Sequence, residues 1–304
     1  MEGGIDTGRH LFQYPIIRTV APFDRVVLAP NGTIGTCGLI EFAVCTLPGG
    51  AVPLVEWAAP EVRLDEGRGF PTVVNVDVLQ LDDPMRELTI VSRRPAGDET
   101  TRIRRLGVTI YNSRQERPSP DGLSPVRQSR RSSRILPVEF ISQFAAEADD
   151  RDSLCCPTSA TMLLRYWGVD IDVREFARLS YDRRHQLYGN WSLTVAAMSA
   201  FGLCAWVQRH YSLIELSNCI DAGRPVIVSV AFDAGKLPGS PIKKTAGHLL
   251  VVRGFAEDGT VLVNDPAGHD GDAGQIAYDY SAFSRAWLGH GGIALHAVPE
   301  ELVR

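Results

Sequence analysis

Residues 154–168 read LCCPTSATMLLRYWG, and this stretch decides the fold of the C-terminal half of the chain. Its apolar residues recur at the spacing i, i+3, i+4, i+7 that places them on one face of a helix, namely Ala160, Leu163, Leu164 and Trp167. Pro157 stands where a first-turn proline is favoured, and Gly168 ends the run. The stretch therefore predicts a helix that begins directly after two adjacent cysteines.

The two cysteines at this helix start are candidate nucleophiles. A thiol attacks well only as the thiolate, and its pKa falls at a helix N-terminus or beside a histidine. A small packed residue suits the same position, so the helix alone assigns no role to Cys155 or Cys156. A catalytic base has to come from a distant part of the sequence that folding brings near.

One histidine and one aspartate stand at the ends of two neighbouring predicted strands. Of the seven histidines, only His248 opens a long apolar strand, predicted over residues 248–255. The next predicted strand, 261–264, follows a turn at residues 257–259 and ends at Asp265. If the strands pair antiparallel, Asp265 comes within reach of His248 and fixes its tautomer and orientation. Otherwise His248 is a structural histidine and Asp265 only part of a turn.

Several separated segments resemble the bacteriocin-processing cysteine peptidases, and more narrowly their stand-alone relatives that lack a transporter. In chain order the segments are residues 154–168, 189–191, 222–226, 247–255 and 263–267. The resemblance spans about Leu136 to Val298 and implies a papain-like fold with a Cys–His–Asp catalytic apparatus. In that register Cys155 is the nucleophile, His248 is the base and Asp265 orients the histidine.

The resemblance also implies an oxyanion-hole glutamine upstream of the cysteine. Gln143, at the end of the segment Pro137–Gln143, is the candidate. Its side-chain amide would donate to the tetrahedral oxyanion, with the backbone N–H of Cys155 as the second donor. The residue after the nucleophile is commonly Gly or Ser in this family, whereas here it is Cys156. A second thiol at that place would oxidise with the nucleophile or partly replace it.

The composition changes twice along the chain and predicts two domains. Residues 1–113 contain many short apolar runs separated by Gly and Pro, which predicts an all-β, β-sandwich-like domain. One of the predicted strands is Val74–Val78, where apolar and polar residues alternate. Residues 114–134 are rich in Arg, Ser and Pro and predict a solvated linker, although the arginines would also suit a partner-binding arm. Residues 135–304 carry helices first and an antiparallel sheet afterwards, which predicts an α+β papain-like domain.

Charge and cysteine content narrow the possible partners. The formal net charge is -5, which offers no global attraction to nucleic acid or to an anionic membrane. The six cysteines are too scattered for a disulfide scaffold and lack the paired spacing of a structural zinc site. We therefore expect neither a metal ion nor a cofactor. With no signal-peptide run or apolar stretch of about 20 residues, we expect a cytoplasmic protein.

These residues predict a cysteine peptidase or amidase that hydrolyses a peptide or amide bond through an acyl-thioenzyme. The same apparatus can pass the acyl group to an amine, so an acyltransferase, peptide ligase or cyclase is the main alternative. A non-catalytic peptide-binding module is a third reading, against which the presence of every expected catalytic residue argues. A metal site built from Cys155, Cys156, His248 and Asp265 has no supporting ligand spacing.

Overall fold

The computed structural model describes residues 9–46, 50–64, 74–114, 134–145 and 150–303. The chain separates into two compact units, Met1–Ser113 and Arg114–Arg304. Of the predicted linker, residues 115–133 lie outside the described residues. Within the described ranges, every helix is too short or too polar to span a bilayer.

The described residues of the first unit form strands only. They are β1 (Arg9–Gln13), β2 (Ile17–Thr33), β3 (Leu39–Cys45), β4 (Ala51–Ala58), β5 (Val74–Asn75), β6 (Val78–Pro95) and β7 (Arg102–Tyr111). They form one antiparallel sheet in the order β4-β3-β6-β2-β7, with β1 and β5 also paired to β6. The long β6 joins two groups of strands, because it pairs with β2 and β5 in one group and with β1 and β3 in the other.

One predicted strand of this unit is wrong. The alternation of apolar and polar residues over 74–78 predicts a single strand, but the chain reverses there. Asn75 pairs with Val78, and Val76 adopts a left-handed backbone with φ of 59°. Asn and Asp favour turns because their side chains bond to nearby backbone groups, and this preference outweighs the alternating pattern.

The second unit combines six helices with one sheet. The helices are α1 (Cys155–Tyr166), α2 (Val173–Ser180), α3 (Trp191–Ser199), α4 (Leu213–Asp221), α5 (Gly271–Gly274) and α6 (Tyr280–Leu288). The strands are β8 (Leu203–Arg209), β9 (Val226–Phe232), β10 (Thr245–Phe255), β11 (Val261–Asn264), β12 (Gln275–Tyr278) and β13 (Ile293–Pro299). Single 3-10 turns cover Gln143–Ala145, Arg151–Ser153 and Glu300–Leu302.

The sheet of the second unit is antiparallel throughout, in the order β12-β11-β10-β9-β13-β8. Its central strands are runs of buried Val, Ile and Leu, as in β9, where residues 226–230 are all buried. Helix α1 packs against β10, where the Ser159 hydroxyl donates to the Leu249 carbonyl at 3.1 Å. This contact fixes the start of α1 beside the start of β10.

The helix predicted over residues 154–168 and the strands predicted over 248–255 and 261–264 are present as α1, β10 and β11, with ends that differ by up to three residues. Helices α2 and α6 are not predicted from the sequence, although each begins after an aspartate that caps it. Asp172 accepts from the Arg174 N–H at 2.7 Å, and Asp279 accepts from the Ala282 N–H at 2.8 Å. Such caps are weak signals in sequence because Asp is equally common in turns.

Candidate active site

Cys155 is the first residue of α1, and its side chain is partly exposed. The backbone N–H groups of the first helical turn lie at this end of α1, and the helix dipole favours a negative charge there. An interaction with the Leu249 backbone of β10 also lowers the pKa of Cys155. A thiolate at this position is therefore favoured by the helix start and by the adjacent strand.

His248 lies at the start of β10, next to a β-bulge between Thr245 and His248. A bulge re-aims side chains and is common beside functional sites. The ring is buried, and its Nε2 lies 2.7 Å from Asp265 Oδ1. The Cys155 thiol interacts with the same ring, and this interaction raises the pKa of His248. Since Nε2 faces Asp265, Nδ1 is the nitrogen left to face Cys155.

Asp265 follows β11 directly and is completely buried. Besides the histidine, Oδ1 accepts from the Ala267 N–H at 3.0 Å, and Oδ2 accepts from the Tyr278 hydroxyl at 3.1 Å. Burial and the neighbouring carboxylate raise the pKa of Tyr278 well above its ordinary value, so the hydroxyl stays protonated and donates. The carboxylate is thus held by three donors in a single orientation.

The electrostatics of the site favour a thiolate–imidazolium pair. Burial opposes a charged ring, but the charge of Asp265 and the hydrogen bonds to Asp265 and Cys155 outweigh it and raise the pKa of His248 to about 10. Partial burial opposes the thiolate, but the hydrogen bond and charge of His248 outweigh it and lower the pKa of Cys155. Each charge stabilises the other, as expected for an ion pair in a poorly solvated site.

Cys156 and Asn264, the sequence neighbours of Cys155 and Asp265, make contacts outside this group of side chains. Cys156 is completely buried, and its sulfur lies 3.3 Å from the Thr194 hydroxyl. Asn264 donates from Nδ2 to the carbonyls of Val138 and Glu139, at 3.0 and 3.2 Å. Cys156 is therefore inaccessible to a substrate, and Asn264 has no described hydrogen bond to the histidine.

Gln143 lies beside the turn that follows Asp265, and its side-chain amide already makes one hydrogen bond. Its backbone N–H donates to the Pro266 carbonyl at 2.9 Å, which joins it to the turn after Asp265. Its side-chain Nε2 donates to the Arg151 carbonyl at 3.0 Å, and this uses one of the two amide hydrogens. The Arg151 carbonyl also accepts from the Leu154 N–H, immediately before the candidate nucleophile. Among the described residues, no acceptor is found for the second hydrogen of this amide.

Three contributors to the site were not predicted from sequence. The Tyr278 hydroxyl, the Leu249 backbone and the Ser159 hydroxyl each contact a candidate residue or the helix that carries it. Tyr278 lies on the four-residue strand β12, too short for a periodic signal. Leu249 follows His248 by one residue, and Ser159 follows Cys155 by one helical turn, so the registers of β10 and α1 are the signal by which the sequence could have indicated them.

Solved structures similar to this chain include three peptidases. A C39-like peptidase from Bacillus anthracis, described as putative, is 19% identical, covers 55% of this chain and 98% of its own, and has a TM-score of 0.41. A double glycine motif protease from an AMS/PCAT transporter, solved with its leader peptide, is 20% identical with coverages of 55% and 96% and a TM-score of 0.36. The peptidase domain of Streptococcus ComA is 16% identical with coverages of 56% and 100% and a TM-score of 0.37.

No curated protein sequence matches the chain. The model of the Peptidase_C39 like family matches residues 135–295, which is more than half of the chain. The match covers Gln143, Cys155, His248 and Asp265, and it begins at the predicted start of the C-terminal domain. This protein therefore belongs to the Peptidase_C39 like family of cysteine peptidases, as the resemblance in its sequence predicts.

Proposed function

We propose that this protein hydrolyses a peptide or amide bond through an acyl-thioenzyme, with Cys155 as nucleophile, His248 as acid–base and Asp265 as the residue that orients His248. The observation that carries the proposal is the buried His248 ring, whose Nε2 lies 2.7 Å from Asp265 Oδ1 and which also interacts with the Cys155 thiol. This is the arrangement that a paired thiolate and imidazolium require.

In the first half of the reaction, the Cys155 thiolate attacks the carbonyl carbon of the scissile bond. The carbonyl oxygen gains the negative charge, and the backbone N–H of Cys155 and the free amide hydrogen of Gln143 are the proposed donors to it. The His248 imidazolium then gives its proton to the leaving nitrogen as the C–N bond breaks. An amine leaves, and a thioester to Cys155 remains.

In the second half, neutral His248 takes a proton from water while the water oxygen attacks the thioester carbonyl. Collapse of the tetrahedral intermediate expels the Cys155 thiolate and releases the carboxylic acid. Asp265 stabilises the imidazolium in both halves and holds the ring in one orientation. If an amine takes the place of water, the same steps give a new amide, so aminolysis is an outcome that the experiment has to separate.

The test is intact-mass analysis of the full chain mixed with a panel of fluorogenic peptide amides, with and without an added amine. We expect a transient mass increase equal to the acyl group, release of the fluorescent amine and a free-acid product. Cys155→Ala should give none of these. Cys37→Ser, which removes an exposed thiol of the first unit, should behave like the wild type.

Three results would change the assignment. Acylation of Cys155→Ala would place the nucleophile elsewhere. An amide product that dominates over the acid at modest amine concentration would make the protein an acyltransferase or ligase. Peptides that bind without any acylation, although a thiol reagent still alkylates Cys155, would support a peptide-binding module.

A further inference from the structure

A second group of reactive side chains lies away from the candidate active site. It consists of His210, directly after β8, His296 on β13 and Cys219 on α4. One ring nitrogen of each histidine and the Cys219 sulfur all lie within 4.8 Å of one another. The two histidines are only 2% and 3% exposed. In the sheet, β9 separates the strand of His296 from the strand of His248.

The two imidazole rings face each other with their Nε2 atoms 2.9 Å apart. A hydrogen bond between two ring nitrogens has one donor and one acceptor, so one Nε2 carries a proton and the other presents a lone pair.

A carboxylate fixes the tautomer of one ring. Glu215 Oε2 lies 3.1 Å from His210 Nδ1, so Nδ1 carries the proton and Nε2 presents its lone pair to the cluster. Glu215 is itself held by the Tyr211 N–H and the Ser212 hydroxyl, both at 3.2 Å from Oε1. A carboxylate behind a ligating histidine is the usual outer partner of a protein zinc site.

We propose that His210, Cys219 and His296 bind one Zn²⁺ ion, or a divalent ion of similar ligand preference, through two imidazole nitrogens and one thiolate, with water in the fourth position. Two nitrogen ligands and a cysteine sulfur are a donor set typical of zinc. The three residues come from separate segments and lack a recognisable spacing in the sequence, which is why a sequence motif does not indicate the site.

The protons and charges balance as follows. His210 already presents a lone pair at Nε2. The proton of the His296 ring moves from Nε2 to Nδ1, so Nε2 can bind the ion and the ring keeps one proton. Zinc is bound by the thiolate, so the Cys219 thiol gives up its proton to solvent when the ion binds. Zinc binding should therefore release about one proton. The thiolate and Glu215 carry two negative charges, which offset the two positive charges of the ion, and Arg224 adds one positive charge nearby.

The geometry needs only small movements. With Zn–N distances of about 2.0–2.1 Å, a tetrahedral site separates two nitrogen ligands by roughly 3.3 Å. The distance between His210 Nε2 and His296 Nε2, now 2.9 Å, would have to increase slightly. The Cys219 sulfur, which lies within 4.8 Å of both ligand nitrogens, would have to move closer to them. The ion would tie α4 to β13 and to the segment after β8.

The test uses the full chain with Cys155→Ala, so that the candidate nucleophile cannot contribute a ligand. After treatment with a chelator, the protein is titrated with Zn²⁺ by calorimetry in two buffers of different ionisation enthalpy, and separately with Co²⁺ by absorption spectroscopy. We expect one Zn²⁺ per chain, about one proton released, a higher Tm and a thiolate-to-cobalt charge-transfer band. Cys219→Ser should abolish the band, whereas Cys37→Ser should keep it.

Glu215→Gln provides a milder variant, because it alters the partner of His210 and leaves the three ligands intact. Its Zn²⁺ affinity should fall by roughly 10–100-fold, the usual effect of losing such a partner. Circular dichroism checks that each variant is folded. The proposal is overturned if the chain takes up no stoichiometric Zn²⁺, or if Cys219→Ser and Glu215→Gln both bind it as tightly and with the same cobalt spectrum as their parent.

Discussion

Replacing Asp265 by asparagine removes one buried negative charge and keeps the hydrogen bonds around it. The introduced amide oxygen still accepts from His248 Nε2 and the Ala267 N–H, in place of Oδ1. The amide nitrogen donates to the Tyr278 hydroxyl oxygen, in place of the bond from that hydroxyl to Oδ2. The variant therefore tests the charge of Asp265 separately from its geometry.

The size of the effect follows from the burial of the pair. Asp265 is completely buried, and its charge is a main cause of the raised pKa of His248, about 10. Breaking a buried ion pair costs about 3–5 kcal/mol, and about 1.4 kcal/mol corresponds to a factor of ten. Because the hydrogen bonds remain, we expect the lower part of that range, a fall in kcat/KM at pH 7 of roughly 10²–10³-fold.

The assay is a pH–rate profile of kcat/KM. In the wild type, activity should rise as Cys155 ionises at its lowered pKa and fall as His248 loses its proton near pH 10, both values belonging to the coupled pair. In Asp265→Asn, the loss of the charge lowers the pKa of His248, so the fall on the alkaline side should move to lower pH. The active range should thus narrow from above.

Asn264→Ala is the matched control from the neighbouring position. It removes the hydrogen bonds of Nδ2 to the Val138 and Glu139 carbonyls, which costs about 1–3 kcal/mol of stability, and the described hydrogen bonds of this side chain do not involve His248. We expect a lower Tm and an unchanged profile. The reasoning is refuted if Asn264→Ala moves the alkaline limit while Asp265→Asn keeps the profile of the wild type; the third member of the triad would then have to be reassigned.

The remaining predictions concern the two thiols, the glutamine and the linker. Cys155→Ala should abolish turnover and preserve the fold, whereas Cys156→Ala should keep activity and lose about 1–2 kcal/mol of stability to a small cavity. Gln143→Ala should lower kcat by about 10²–10³-fold, the usual effect of removing one oxyanion donor. Limited trypsin digestion should cut first within residues 114–134, and the fragment that begins near Ile135 should stay folded.

Each of these predictions has a contrary result. An active Cys155→Ala beside a dead Cys156→Ala would shift the nucleophile by one residue. An unchanged rate in Gln143→Ala, with chemistry rate-limiting, would remove that side chain from the mechanism. Primary cleavage outside residues 114–134, or a fragment that unfolds at once, would argue against independent domains.

The sequence predicts those parts of the fold that have a regular pattern. The period of residues 154–168 predicts α1, and the two apolar runs joined by a turn at 257–259 predict the hairpin of β10 and β11. From this hairpin, the proximity of His248 and Asp265 follows without any structure. The bulge before His248 does not follow, because it depends on how β9 and β10 pair over their whole length.

Other features depend on contacts between distant residues and leave little trace in sequence. Tyr278 reaches Asp265 only because β12 pairs with β11. The Arg151 carbonyl takes one hydrogen of the Gln143 amide, and a segment resemblance cannot predict that partner. Val76 is part of a turn although its neighbours alternate as in a strand, because a five-residue pattern fits both structures.

The central claim, a Cys155 thiolate paired with a His248 imidazolium, is tested most directly by the pH dependence of alkylation at Cys155. The rate is measured with iodoacetamide and located by peptide mass spectrometry in the wild type and in His248→Ala. We predict that Cys155 of the wild type already reacts as a thiolate well below the ordinary cysteine pKa of about 8.5, and that His248→Ala shifts this titration to the ordinary value or above. An identical titration of Cys155 in both folded proteins would contradict the pair.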